Sequence, residues 1–177
     1  MRVIKEHYFN HKRHSNGQEI LEKANVDRLA EVLGAINKAD LEKCREPGKP
    51  GKPAKPLYSP QRIAGEILGP LHSTGWSRPK IMFGKPDNFI EGDGLKNGVG
   101  VEIQFGNYAF LGWDSLRKMS LFGRSGVYRY GIEIVPMASL RRKMSKGVGS
   151  FEQVTERLEK TGNPELSIPV VVLGIDG

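Results

Sequence analysis

The spacing of hydrophobic residues along the chain changes from helical to strand-like near residue 80. Between residues 15 and 36, apolar side chains recur every three or four positions, which predicts an amphipathic helix built on Ile20, Leu21, Val26, Leu29, Val32, Leu33 and Ile36. A second helix is predicted after Ser59, with Pro60 at its first position. Residues 2–9 predict a short strand or an extended arm.

The second half of the chain has the pattern of short strands, turns and two helices. Strands are predicted for "KIMFGKPDNFI", "VGVEIQFGNYAF" and "YRYGIEIVPM", and the continuous apolar run "IPVVVLGI" predicts a strand covered on both faces. Asn97-Gly98 is a strong hairpin signal. "SLRKMSLF" predicts a helix, and "SFEQVTERLEKTG" predicts another, with Ser150 as N-cap and Gln153 at the capping-box position. The predicted fold class is α/β (α+β), a mixed central β-sheet flanked by helices.

The length of 177 residues suits one domain with a substantial core. We therefore expect a single domain over 1–177: an N-terminal strand and helix region at 1–45, a loop at 46–56 and a catalytic core at 57–177. The loop, "EPGKPGKPAKP", alternates proline, glycine and lysine, which predicts extended polyproline-like backbone. A plain solvated loop is favoured there over contact with a DNA backbone.

Composition narrows the class of protein. The net charge of +7 favours a polyanionic partner, although a merely basic protein would have the same excess of lysine and arginine. The single cysteine, Cys44, excludes an internal disulfide and a thiolate zinc site. No apolar run is long enough to span a membrane, and the charged N-terminus argues against export. A cytoplasmic location and no membrane partner are expected.

Candidate chemistry lies in "NGVGVEIQFGNYAFLGW". Glu102 and Gln104 are two residues apart on one predicted strand face, while Val101, Ile103 and Phe105 take the other face and enter the core. The polar face is expected to open onto a site. Asp93 lies nine residues before Glu102, so a hairpin turning at Asn97-Gly98 would bring the two carboxylates together. Converging carboxylates repel unless a cation joins them, and hard oxygen ligands favour Mg²⁺.

Purely structural roles remain open for these residues. An aspartate in "GDG" commonly caps a turn, and Glu102 on an exposed sheet would simply face solvent. Glu133 on the next strand would either support the site or lie on the surface. His7, His11 and His14 are expected to belong to a solvated basic arm, and "GDGLKNG" lacks a phosphate-binding glycine pattern, so no nucleotide cofactor is expected.

The segment "VEIQFGNYAFL" closely resembles the active-site strand of the BglII- and BstYI-like restriction endonucleases, of the PD-(D/E)xK nuclease superfamily. That superfamily places an aspartate at the end of one strand and Glu-x-Lys on the next, and this small family has Glu-x-Gln, as Glu102-Ile103-Gln104 does here. "LYSP", "GW", "GIEIVPM" followed by "MSKGVGSFEQ", and "IPVVVLGI" match in the same order. The resemblance covers most of residues 57–175.

The resemblance implies a role for each matching residue. Asp93 would ligate Mg²⁺, Ile103 would contribute its backbone carbonyl, and Glu102 would bind the metal or its waters. Gln104 would orient the nucleophilic water, because a carboxamide is neither a general base nor an acid at neutral pH.

DNA-binding roles are also implied. Asn107 and Arg117 match positions that face the major groove, where Asn pairs with adenine and Arg with guanine. Ser145 and Lys146 are further candidates. For Arg117 and Lys146, contact with phosphate is an equally open alternative.

The resulting expectation is a type II restriction endonuclease, a Mg²⁺-dependent homodimer that cuts double-stranded DNA at a short palindrome. The resemblance suggests a GATC-centred site and four-base 5′ overhangs, in a prokaryotic cytoplasm. Two alternatives stay open: a DNA-binding protein that keeps the fold without cleaving, and a repair or structure-specific nuclease on the same scaffold.

Overall fold

The computed structural model describes residues 1–13, 19–46, 57–106, 111–144, 147–161 and 166–177. Its elements, in chain order, are β1 (Arg2–Phe9), β2 (Lys12–Arg13), β3 (Glu19–Ile20), α1 (Lys23–Lys38), a 3₁₀ turn (Glu42–Cys44), α2 (Pro60–Ser73), β4 (Lys80–Phe83), β5 (Lys85–Glu91), β6 (Gly94–Lys96), β7 (Val99–Ile103), α3 (Leu111–Arg124), β8 (Tyr130–Pro136), α4 (Ala138–Arg141), α5 (Phe151–Thr161) and β9 (Val170–Asp176).

A five-stranded mixed sheet forms the centre of the fold, with the strand order β1-β9-β8-β7-β6. The three middle strands run parallel, while β1 and β6 pair antiparallel at the two edges. The predicted fold class is confirmed. The run "IPVVVLGI" forms β9 between β1 and β8, and its residues are buried from Val170 to Ile175, as a strand covered on both faces requires.

Each face of the sheet packs against its own helices. Val101 and Ile132 belong to a hydrophobic cluster with the buried sides of α1 and α2. On the opposite face, Val172 packs in a second cluster that includes Met119 and Phe122 from α3. Alternate residues of one strand therefore enter different cores, which is why the central strands have almost no polar positions.

The predicted hairpin is present between β6 and β7. Lys96 pairs with Val99, so the loop contains only Asn97 and Gly98, with φ angles of 53° and 81°. Two consecutive positive φ angles are the pattern of a type I′ turn, which favours Asn-Gly. A β-carbon on Gly98 would also lie 2.4 Å from Nε of Arg129, a contact that the exposed arginine side chain can relieve, so it is the positive φ that favours glycine here.

Several element boundaries differ from the sequence prediction. The first helix begins at Lys23 rather than near residue 16, because Glu19–Ile20 pairs with Lys12–Arg13 in a two-stranded ribbon. Cross-strand pairing there takes precedence over helical spacing. The predicted strand from residue 99 ends at Ile103, with pairing continued for one residue by the Gln104 N–H, which donates to the Ile134 carbonyl at 2.9 Å.

The N-terminal segment is a strand and not a solvated arm. His7 lies in β1 opposite Val172, and the His11 ring packs edge-on against Tyr130 at 5.3 Å between centroids. His14 and residues 47–56 of the predicted loop lie outside the described residues. None of the helices in the described ranges is long and apolar enough to cross a membrane.

Candidate active site

The β6–β7 hairpin places Asp93 beside the end of β7. Because Gly94 pairs with Val101, the preceding residue on one strand lies opposite the following residue on the other, which is Glu102. The Asp93 carboxylate Oδ2 accepts a hydrogen bond from the Ile103 backbone N–H at 2.8 Å. The two carboxylates that the sequence singles out are therefore brought together.

The Ile103 peptide groups point toward Asp93. In a strand, the N–H and C=O of one residue lie on the same side, and neighbouring residues alternate. Gln104 directs its N–H to β8, whereas Ile103 directs its N–H to Asp93. The Ile103 carbonyl consequently lies on the Asp93 side of the strand, and the two carboxylates and this carbonyl form an oxygen-rich strand end.

Glu102 is almost completely buried, with an exposed fraction of 3%. Its Oε2 is 2.6 Å from Nζ of Lys118 on α3, and its Oε1 accepts a hydrogen bond from the Tyr128 hydroxyl at 2.9 Å. The expectation of an open polar face is wrong at this position, as is the alternative of a solvent-facing glutamate. Helix α3 and Tyr128 cover that face, and they supply the donors that a buried carboxylate needs.

Burial has a marked effect on the ionisation of Glu102 and Tyr128. Burial raises the pKa of Glu102 from its ordinary 4.5 to about 7, even though the Lys118 ammonium acts to lower it, and the charge on Asp93 adds to the rise. Burial, reinforced by the Glu102 charge, raises the pKa of the Tyr128 hydroxyl. Tyr128 therefore stays neutral and donates.

Two glycines make room for Tyr128. A β-carbon on Gly100 of β7 would lie 2.3 Å from a ring carbon of Tyr128, and one on Gly92 would lie 2.2 Å from the Tyr128 hydroxyl oxygen. A side chain at either position would push the tyrosine away from Glu102. Gly92, before the hairpin, and Gly100, within it, thus leave the space that Tyr128 occupies beside Glu102.

The donor set fits Mg²⁺. Within the described ranges, no group of three or more His, Cys, Asp or Glu side chains is arranged to hold a metal ion. Asp93, Glu102 and the Ile103 carbonyl are hard oxygen donors, and Mg²⁺ is commonly bound through one or two carboxylates, with waters and substrate phosphates completing its octahedron.

Comparison with known proteins identifies the family of the chain. Residues 9–175 match the family model described as restriction endonuclease BglII/BglIII. The chain belongs to this family. Membership of the BglII/BglIII family makes the protein an enzyme, a type II site-specific endonuclease. No curated protein sequence matches it significantly.

Solved structures of BglII have the same fold. The crystal structure of restriction endonuclease BglII complexed with a DNA 16-mer aligns with a TM-score of 0.73 at 19% identity, covering 98% of this chain and 79% of that one. Free BglII aligns with a TM-score of 0.65 at 19% identity, covering 98% of this chain and 80% of that one.

The remaining predicted residues fall into two groups. Gln104 is half-buried just beyond β7, where a β-carbon on Gly106 would lie 3.3 Å from its Oε1. Arg117 is exposed on α3, one residue before Lys118. Asn107, Ser145 and Lys146 lie outside the described residues, so their assignment from the resemblance to BglII- and BstYI-like enzymes stays a prediction.

Sequence reasoning missed three residues that contact the predicted site. Lys118 and Tyr128 bind Glu102, and Nε2 of His72 at the end of α2 lies 2.9 Å from the Asp93 carbonyl oxygen. None of them lies close enough to Asp93 or Glu102 in the sequence for a strand or hairpin pattern to place it at the site. The signal available was indirect: a glutamate in a buried strand needs donors, and the chain after it contains them.

Glu133 corrects a further expectation. It lies in β8 directly opposite Glu102 and has no exposed surface. The surface role that the sequence left open for it is wrong.

Proposed function

We propose that this endonuclease hydrolyses phosphodiester bonds of double-stranded DNA at a short palindromic site, with Mg²⁺ as cofactor. The observation that carries the proposal is the buried Glu102, held beside Asp93 at the end of β7 by Lys118 and Tyr128. The proposal includes a single domain over 1–177, a GATC-centred site and 5′ overhangs, the last two on the resemblance alone.

Asp93, Glu102 and the Ile103 carbonyl are the proposed Mg²⁺ ligands. The ion, when bound, supplies positive charge for the phosphoryl oxygens and lowers the pKa of a bound water. Asp93 is kept at the strand end by the Ile103 N–H, and Glu102 is kept in one orientation by its two donors. These contacts fix the oxygen donors before substrate arrives, which is the physical meaning of preorganisation.

Gln104 is proposed to orient the attacking water. Its carboxamide has both donors and acceptors but neither gains nor loses a proton at neutral pH. It can therefore align a water for in-line attack without serving as the base. Its position one residue beyond β7, on the strand face of Glu102, supports that assignment.

DNA is the proposed partner because the chain is basic, with a net charge of +7, and because a BglII structure of the same fold holds a DNA 16-mer. Asn107, Ser145 and Lys146 are proposed to contact the duplex on the strength of the family resemblance. A homodimer is proposed because cutting both strands of a palindrome needs one active site for each half-site.

Digestion of unmethylated phage DNA tests the proposal. Purified protein should give discrete fragments with Mg²⁺ and none with EDTA, and sequencing of the fragment ends should show one shared palindrome. A smear would instead favour a repair or structure-specific nuclease. Intact DNA together with a gel shift would favour a binding protein that does not cleave.

The metal assignment predicts a specific separation of binding from cleavage. Asp93→Asn should abolish cleavage while keeping duplex binding in Ca²⁺, because it removes a ligand charge but preserves the side chain's size. Asp87→Asn, on the exposed face of β5, is the matched control and should cut like the wild type. Unchanged cutting by Asp93→Asn would remove Asp93 from the metal site.

A further inference from the structure

A basic cavity lies next to the proposed active site, between β5 and α3. It has a volume of about 570 Å³ and is lined by Ile90, Arg117, Lys118, Leu121 and Arg124. Among the described side chains that line it, three of the five are cations and none is a carboxylate. The volume falls within the roughly 300–1,000 Å³ typical of pockets for drug-sized molecules, the size class of a nucleotide.

The spacing along α3 creates this basic face. Arg117, Leu121 and Arg124 are four and three residues apart, so they lie on one side of the helix. Met119 and Phe122, which fall between them, are fully buried in the core. Both arginines are exposed. The helix thus has its apolar side in the core and its cationic side on the cavity.

Lys118 connects the cavity to the active site. It lines the cavity, and its ammonium lies 2.6 Å from the Glu102 carboxylate. A group bound in the cavity would therefore be separated from the proposed metal ligand by one side chain. The apolar walls at Ile90 and Leu121 can pack against a sugar, while the arginines can bind phosphate oxygens in pairs.

We propose that this cavity binds a backbone phosphate of the cut strand, close to the phosphate being cleaved, with Arg117 and Arg124 as its ligands. The proposal rests on the proposed function, because it needs DNA at Asp93 and Glu102. It assigns Arg117 to sequence-independent contact instead of guanine recognition. Its role is to fix the position of the strand along the carboxylates.

Binding measurements in Ca²⁺ test the cavity separately from cleavage. Arg117→Gln and Arg124→Gln should each weaken duplex binding about tenfold, equally on the cleavage site and on unrelated sequence. Each should also reduce the slope of log affinity against log salt by about one. Arg2→Gln is the matched control, an exposed arginine on β1 at the opposite edge of the sheet, and should change neither quantity.

Replacing single phosphates by neutral methylphosphonates locates the contact. At one phosphate near the cut, neutralisation should weaken wild-type binding but add little to the Arg124→Gln loss, because both changes remove the same contact. At the other phosphates the two losses should add.

The outcomes separate the two proposals. If the wild type cuts DNA while both arginine variants bind like Arg2→Gln, the cavity proposal is overturned and the proposed function stands. A loss confined to one base pair would also overturn it, since that result assigns base recognition. If the wild type binds duplex without cutting and the variants lose affinity as described, the proposed function fails, and only the sequence-independent phosphate contact at the cavity stands, without a cut strand. Absence of duplex binding by the wild type overturns both.

Discussion

Replacing Glu102 by glutamine should abolish activity but stabilise the folded protein at neutral pH. Glu102 is 3% exposed, and burial raises its pKa from 4.5 to about 7 against the lowering effect of Lys118. The folded state therefore holds this proton more tightly than the unfolded chain does. A glutamine of the same size carries no charge to desolvate. Its oxygen can accept from Lys118, and its NH₂ can donate to the Tyr128 hydroxyl oxygen.

The sign and size of the effect follow from proton linkage. Below about pH 4.5 both states bind the proton, so the contribution of Glu102 to stability is fully present. As the pH rises, the unfolded chain releases the proton first, and stability is lost until the pH passes the folded pKa near 7. The shift corresponds to about 3 kcal/mol. For a chain of this size that is roughly 6–12 °C in melting temperature.

The assay is urea unfolding in EDTA between pH 4.5 and 8.5. Glu102→Gln should unfold at a higher urea concentration than the wild type, and its free energy of unfolding at pH 8 should be about 3 kcal/mol larger. This difference in free energy should become smaller toward pH 4.5. Glu46→Gln is the control, because that glutamate is exposed, and its effect should not vary in this way. A variant less stable than the wild type at pH 8, or a difference that is constant across the range, would refute the reasoning.

Two other substitutions test the surroundings of Glu102. Tyr128→Phe removes a donor to the buried carboxylate and should lower the free energy of unfolding by about 1–3 kcal/mol at pH 8. In the Glu102→Gln background, urea unfolding should show a smaller loss of stability. An equal loss in both backgrounds would contradict a contact that depends on the charge of Glu102. Gly100→Ala places a β-carbon 2.3 Å from the Tyr128 ring and should cost about 1–3 kcal/mol through overpacking; Gly69→Ala, where the added β-carbon has open space, should not be destabilised in the same thermal unfolding measurement.

The parts of the fold that the sequence predicts are those specified by local chemistry. Asn97 and Gly98 determine a two-residue turn by their backbone preferences, and that turn sets the register that brings Asp93 to Glu102. Likewise Ser59 accepts a hydrogen bond from the Arg62 N–H, and Gln153 accepts one from the Ser150 N–H, as caps at those positions require. In each case the residues that decide the structure are neighbours in sequence.

The parts that could not be predicted depend on distant contacts. Lys118 and Tyr128 lie 16 and 26 residues from Glu102, and they reach it only because α3, with the turn after it that contains Tyr128, packs over the face of β7 that carries Glu102. Sequence spacing alone cannot show that one face of β7 is covered. For the same reason, the sequence does not distinguish a surface role from a supporting role for Glu133, which lies opposite Glu102 in β8.

The free-energy cost of burying Glu102 and the proposed function of Glu102 have one physical origin. A carboxylate that is buried at a cost of about 3 kcal/mol, and is only partly compensated by Lys118, has a strong thermodynamic preference for a closer or doubly charged cation. A ligand that binds only the folded state at about 100 times its dissociation constant adds about 2.7 kcal/mol of stability. A bound divalent cation would therefore offset part of the cost of burying Glu102, by an amount set by its concentration relative to its dissociation constant. A structural glutamate at this position would have only Lys118 and Tyr128 to offset its burial, so this balance of free energies supports the proposed metal-dependent function over a fold that has kept the strand without its chemistry.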